Sequence, residues 1–101
     1  MHANVLTEAG KTVIKLTGRF DFNTHREFRG AYEPLVSDPT IRTVVVDLSG
    51  VDYLDSSALG MLLMLRDKLG GGNKEVALAG VRGNVKQVLD IANFSKLFPI
   101  L

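Results

Sequence analysis

The sequence predicts an α/β domain: a mixed β-sheet of four to five strands with helices mainly on one side. Three observations carry this. Val44-Val45-Val46 lies in a β-branched, nearly continuous apolar stretch, the pattern of a strand buried on both faces in a partly parallel sheet. Strand-like runs alternate with stretches of helical periodicity after the first two runs, giving the order ββαβαβα(β). Right-handed crossovers between parallel strands then put most helices on one face.

Asn4 to Thr7 reads as a first strand and Glu8-Ala9-Gly10-Lys11 as a hairpin turn. Val13, Ile14 and Leu16, interleaved with Thr12, Lys15 and Thr17, read as the second strand, which Gly18 ends. Asp21-Phe22-Asn23-Thr24 supplies capping residues for a helix running to about Val36, with Phe28, Tyr32, Leu35 and Val36 on one face. Pro34 is expected to end or bend that helix. Ser37-Asp38-Pro39-Thr40 is a turn. The central strand spans Ile41 to Leu48 and Ser49-Gly50 breaks it. Ser56 to Leu69 is a helix with a broad apolar face, stopped by Gly70-Gly71-Gly72-Asn73. Glu75 to Ala79 is a further buried strand, Asn84 to Ala92 a short helix, and Phe98 to Leu101 a last edge strand.

The 101 residues suit one domain, residues 1–101. Twelve Lys and Arg against eleven Asp and Glu leave a formal net charge of +1. That balance argues against nucleic acid as a partner, since phosphate neutralisation needs a basic face. It equally argues against a polybasic hold on a membrane. With no cysteine, disulfides, thiol catalysis and thiolate metal sites are excluded. His2 and His25 have no carboxylates at ligand spacing, so no metal and no cofactor are expected. Met1 to Glu8 does not have the pattern of a secretory signal, and the longest apolar run, Met61 to Leu65, is far short of the roughly 20 residues of a bilayer span. A soluble, cytoplasmic protein is expected.

The chemistry concentrates at Val51-Asp52-Tyr53-Leu54-Asp55-Ser56-Ser57-Ala58-Leu59-Gly60, where the central strand hands over to an apolar helix. Strand ends of open sheets are where functional groups gather. Asp55 and Ser56 both suit an N-cap. A helix N-terminus also offers unsatisfied N–H donors and partial positive charge, which accommodate a phosphate. On the residues alone, the Asp-Ser-Ser triplet is either a cap or a phosphorylation site on Ser56 or Ser57. A serine nucleophile would need a base, for which only His25 is available, and the Gly-x-Ser-x-Gly elbow is absent. Gly70-Gly71-Gly72-Asn73 lacks the Lys-Ser/Thr of a nucleotide-binding loop.

Asp55-Ser56-Ser57-Ala58-Leu59-Gly60, following Val44-Val45-Val46-Asp47-Leu48, resembles the signature of the STAS domain, specifically of the anti-sigma-factor antagonists. Gly18-Arg19-Phe20-Asp21 is similar to the family's second landmark. Val76-Ala77-Leu78-Ala79 and Val88-Leu89-Asp90-Ile91-Ala92, with Phe94 and Leu97-Phe98, are similar to its third. The resemblance covers almost the whole chain. It implies the STAS fold and a non-enzymatic partner-switching protein, with Ser56 as phosphoacceptor and no catalytic residues. It also implies two partners: an anti-sigma factor with serine kinase activity, bound by the unphosphorylated form so that a sigma factor is freed, and a PP2C-type phosphatase. Asp21, Asp55, Ser57, Ala58 and Leu59 become the candidate partner-binding residues around Ser56. The alternative carried by the same resemblance is a STAS interaction module of an ATPase-linked transport or sensor complex, without phosphoswitching.

Three positions depart from the family pattern. Ala58 stands where Gly is common, which would narrow a partner's approach to the backbone. Arg19 stands where an acid is common. The chain stops at Leu101 where the family continues into a last helix, so Phe94, Leu97, Phe98, Ile100 and Leu101 are expected to have little cover.

Overall fold

A computed structural model describes residues 1–8 and 11–101 of the chain. Ala9 and Gly10, at the centre of the expected hairpin turn, lie outside the described residues. Four strands form one sheet: β1 (His2–Glu8), β2 (Lys11–Phe20), β3 (Thr43–Leu54) and β4 (Glu75–Ala79), in that spatial order. β1 pairs antiparallel with β2, and β2–β3 and β3–β4 are parallel. The helices are α1 (His25–Val36), α2 (Ser56–Gly70) and α3 (Gly83–Ile91), with 3₁₀ turns at Phe22–Thr24 and Phe94–Lys96.

Alternation along the strands decides what is buried. Ile14, Leu16, Val44, Val46, Leu48, Val76 and Leu78 project to one face, where they join buried residues of all three helices in a single core cluster. Among the described residues, the buried apolar side chains outside that cluster are Val45 and Ala77, which alternation places on the opposite face. Val45 is only 4% exposed between the fully buried Val44 and Val46, so the central strand is covered on both sides as its composition predicts.

Four expectations need correction. β2 does not stop at Gly18 but stays paired with β3 as far as Phe20. β3 does not stop at Ser49-Gly50 but runs on to Leu54. Its pairing with β2 steps from Lys15↔Asp47 to Thr17↔Gly50, three residues against two, which is a bulge. At Gly50 a Cβ would lie 2.7 Å from Thr17 Cγ2 and 2.8 Å from Leu16 O, so the bulge needs glycine there. Pro34 does not end α1, which continues to Val36. Pro34 sits near the exposed C-terminal end, where the carbonyl left without its N–H belongs to exposed Gly30 and is open to water. The last strand reduces to one parallel bridge, Leu78↔Ile100, held by Leu78 N–H to Pro99 O (2.9 Å) and Leu101 N–H to Leu78 O (2.8 Å). Phe98 turns into the core instead, stacked on Phe94 at 5.4 Å between centroids. Of the apolar residues expected to lack cover, Phe94 and Phe98 are therefore buried, and Leu97, Ile100 and Leu101 are exposed.

Candidate functional site

The parallel pairing of β2 and β3 brings their carboxyl ends together. Phe20 lies opposite Leu54, and the Asp55 N–H donates to Phe20 O at 3.3 Å. Asp21 and Asp55 are therefore the first residues beyond the sheet on neighbouring strands. Each begins a helical segment.

Asp55 caps α2. Its backbone is extended and its Oδ1 accepts from the Ala58 N–H at 3.0 Å, while its carbonyl accepts from Ala58 and Leu59. Ser56 and Ser57 thus occupy the first two helical positions. Among the described residues their N–H groups have no hydrogen-bond partner, as expected of a first turn. Ser56 is exposed and Ser57 half-buried. The cap is Asp55 rather than a serine, so the Ser56 hydroxyl is left without a structural task.

Asp21 makes a capping box: Oδ1 accepts from the Asn23 N–H at 3.0 Å, and the Asp21 N–H donates to Thr24 Oγ1 at 3.2 Å. Its Oδ2 is 3.6 Å from Arg19 Nε. The Arg19 guanidinium lies 4.1 Å above the ring of Tyr53, its direct partner in the β2–β3 register. Arg19 is thus held between a carboxylate and an aromatic face.

The remaining candidates divide by burial. Ala58 is fully buried, so its methyl belongs to the core and forms no part of the exposed face. Leu59 is half-buried. Leu62 and Leu65 are fully buried, whereas Met64 is 53% exposed. His25 is exposed, with Nδ1 3.0 Å from Phe22 O, and among the described residues no hydrogen bond joins it to Ser56. Among the described residues, no cluster of His, Asp and Glu is arranged to hold a metal ion, and no helix is long and apolar enough to cross a membrane.

An open groove of about 530 Å³ runs between α1 and α2 and starts beside Ser57. Sequence reasoning did not find it, because its walls come from residues some thirty positions apart that share no motif. The sequence signal was the pair Met61 and Met64, whose adaptable side chains suit contact with a partner, while the 67% exposure of Phe22 is visible only in the fold.

Residues 4–100 match the family described as "Mlab, STAS domain". A STAS-domain containing protein of Pseudomonas aeruginosa (strain UCBPP-PA14) is 52% identical over 87 residues, covering 86% of this chain and 84% of that protein. An anti-sigma-B factor antagonist of Staphylococcus aureus (strain NCTC 8325 / PS 47) is 28% identical over 87 residues, covering 86% and 80%. The crystal structure of an anti-sigma factor antagonist from Mycobacterium paratuberculosis superposes with a TM-score of 0.83 at 25% identity, covering 97% of this chain and 82% of that one. The match extends from β1 through α3 to the Ile100 bridge, with the Asp55 cap and the exposed Ser56 at the head of the central helix, and the chain belongs to the STAS domain family.

Proposed function

We propose that the chain is an anti-sigma-factor antagonist that switches partners through phosphorylation of Ser56. The unphosphorylated form binds an anti-sigma factor that is itself a serine kinase, and a sigma factor is thereby released. Phosphorylation ends the binding and a PP2C-type phosphatase restores it. The protein has no catalysis of its own and works in the cytoplasm.

The observation that carries this reading is the exposed Ser56 hydroxyl at the first position of α2, with Asp55 already acting as cap. A phosphoryl group there meets free first-turn N–H groups and the positive end of the helix. It also stands beside Asp55, at the edge where the Asp21 carboxylate is shared with Arg19 at 3.6 Å. Asp21, Asp55, Ser57 and Leu59 frame the docking face. Ala58 serves it from below by fixing the first turn.

The test is recovery of the tagged chain from cells, with phosphopeptide mass analysis and identification of bound proteins. Phosphate on Ser56 is expected. Ser56→Ala should retain a kinase-type anti-sigma factor that Ser56→Asp loses. A difference of about 3 to 4 kcal/mol, a 10²- to 10³-fold change in Kd, is sufficient for a switch. An unmodified Ser56 with equal binding by both variants overturns the reading. Recovery of a transporter ATPase on an unmodified chain would establish the interaction-module alternative in its place.

A further inference from the structure

The groove between α1 and α2 has a composition that specifies what fits it. On α2, Ser57, Met61, Met64 and Lys68 recur at helical spacing along one wall. Phe22 from the 3₁₀ turn and His25 and Arg29 from α1 form the other, over a floor of Phe28 and Tyr32. Ser57 to Lys68 is eleven residue steps, or about 16 Å of helix at about 1.5 Å per residue, three turns. The trough is open along this length, and Phe22 and Met64 expose apolar surface into it. Methionine adapts to varied apolar partners.

The charge in the groove has one sign. Arg29 and Lys68 line it and no carboxylate does. Glu33 shares the Arg29 charge at 3.2 Å, while Lys68 has no carboxylate within ion-pair distance among the described residues. Both helices start at the carboxyl ends of β2 and β3, so their positive ends meet at the Ser57 end.

We infer that this groove seats an amphipathic α-helix of the partner, with apolar residues at i, i+3, i+4 and i+7 and Asp or Glu along its flank. The inference deepens the proposed function by naming the partner's docking chemistry. It also supplies a reason for release, because a dianion on Ser56 stands next to Ser57 at the groove's end and repels an acidic helix.

The probe is a synthetic peptide of about 15 residues, enough for about four turns, with Leu at that spacing and Glu on the flank. Its counterpart carries Lys for Glu. Amide NMR titration of the full chain is expected to move resonances of α1 and α2 along the groove, with the Glu peptide binding about tenfold or more tightly than the Lys peptide. Arg29→Glu with Lys68→Glu, both on exposed positions, should reverse the preference, and Met64→Asp should abolish binding of the Glu peptide. Shifts confined to other surfaces, equal binding of the two peptides, or full binding by Met64→Asp would overturn the inference. If the Glu peptide binds the groove and Ser56→Asp binds it equally well, the groove assignment holds and the phosphoswitch fails.

Discussion

Removing the Asp55 carboxylate separates its two roles, holding α2 and facing a partner. In Asp55→Ala, the Ala58 N–H loses its 3.0 Å acceptor. Loss of such a cap costs about 1 kcal/mol. In a domain of about 100 residues that corresponds to a fall in Tm of about 4–8 °C. Asp55→Asn keeps an acceptor oxygen of equal capping strength and removes the charge, so it should recover most of that loss and forgo about 0.3–1 kcal/mol of interaction with the helix dipole. Thermal melts by circular dichroism at neutral pH measure both variants, and binding to the recovered anti-sigma factor is measured below the lower Tm. If Asp55 acts on the partner only by ordering the first turn, Asn restores stability and binding together. If its charge is read by the partner, Asn restores stability alone. An Asp55→Ala protein melting within about a degree of the unsubstituted chain would refute the capping argument, because the expected shift is several times larger.

Other substitutions probe the frame that holds the site. Leu62→Ala, at a fully buried position of α2, should cost about 2–5 kcal/mol in denaturant unfolding. Gly80→Ala should be destabilising by about 1–3 kcal/mol or more: Gly80 has φ +68°, and a Cβ there would lie 2.6 Å from Ser49 N and 2.7 Å from Asp47 Oδ1. The Asp38 carboxyl is held below its ordinary value of 3.8, first by the Thr40 hydroxyl and then by the Thr40 N–H. A depressed folded value means stability that is present above 3.8 and lost as pH falls through the lower folded value. Acid titration of Tm should therefore fall less steeply below that pH in Asp38→Asn than in the unsubstituted chain. Arg19→Met removes the ring contact at 4.1 Å and the Asp21 ion pair together, and should cost about 1 kcal/mol or less because Arg19 is exposed.

What could be read from the sequence was whatever depended on neighbours in the chain. The Val44–Val46 run is apolar at consecutive positions, so burial on both faces follows from pattern alone. The Asp55 cap is set by a residue and the amide three places on. The features that were missed depend on partners distant in sequence. Ser49-Gly50 reads as a break in isolation, and becomes a bulge only because Thr17 and the Leu16 carbonyl press against it from β2. Phe98 reads as strand, and becomes core because Phe94 stacks on it and α3 brings both under the sheet. Arg19 reads as a departure from pattern. Its two partners, Asp21 and Tyr53, are settled by the β2–β3 register, which no local motif encodes. The α1–α2 groove is the extreme case, since each wall reads as an ordinary amphipathic helix until the crossovers set them side by side.

The same geometry decides where the energy of a phosphoryl group on Ser56 would fall. The change of about −1.5 to −2 charges takes a formal net of +1 only to about −0.5 to −1, so bulk charge does not account for a switch. Locally, Ser56 is exposed and Asp55, not Ser56, holds the cap, so the phosphate displaces no structural hydrogen bond. The first-turn N–H groups and the helix dipole offset part of the repulsion from Asp55 and Asp21. With little to gain or lose inside the domain, the fold would be kept and the cost would fall on whatever covers that edge. A partner would have to strip water from a dianion there, or bring its own acids against it. Because Ser57 begins the groove that Lys68 closes, one modification at the head of α2 would act next to the mouth of that groove. The proposed switch would therefore need no second conformation, only an interface in which that mouth is occupied.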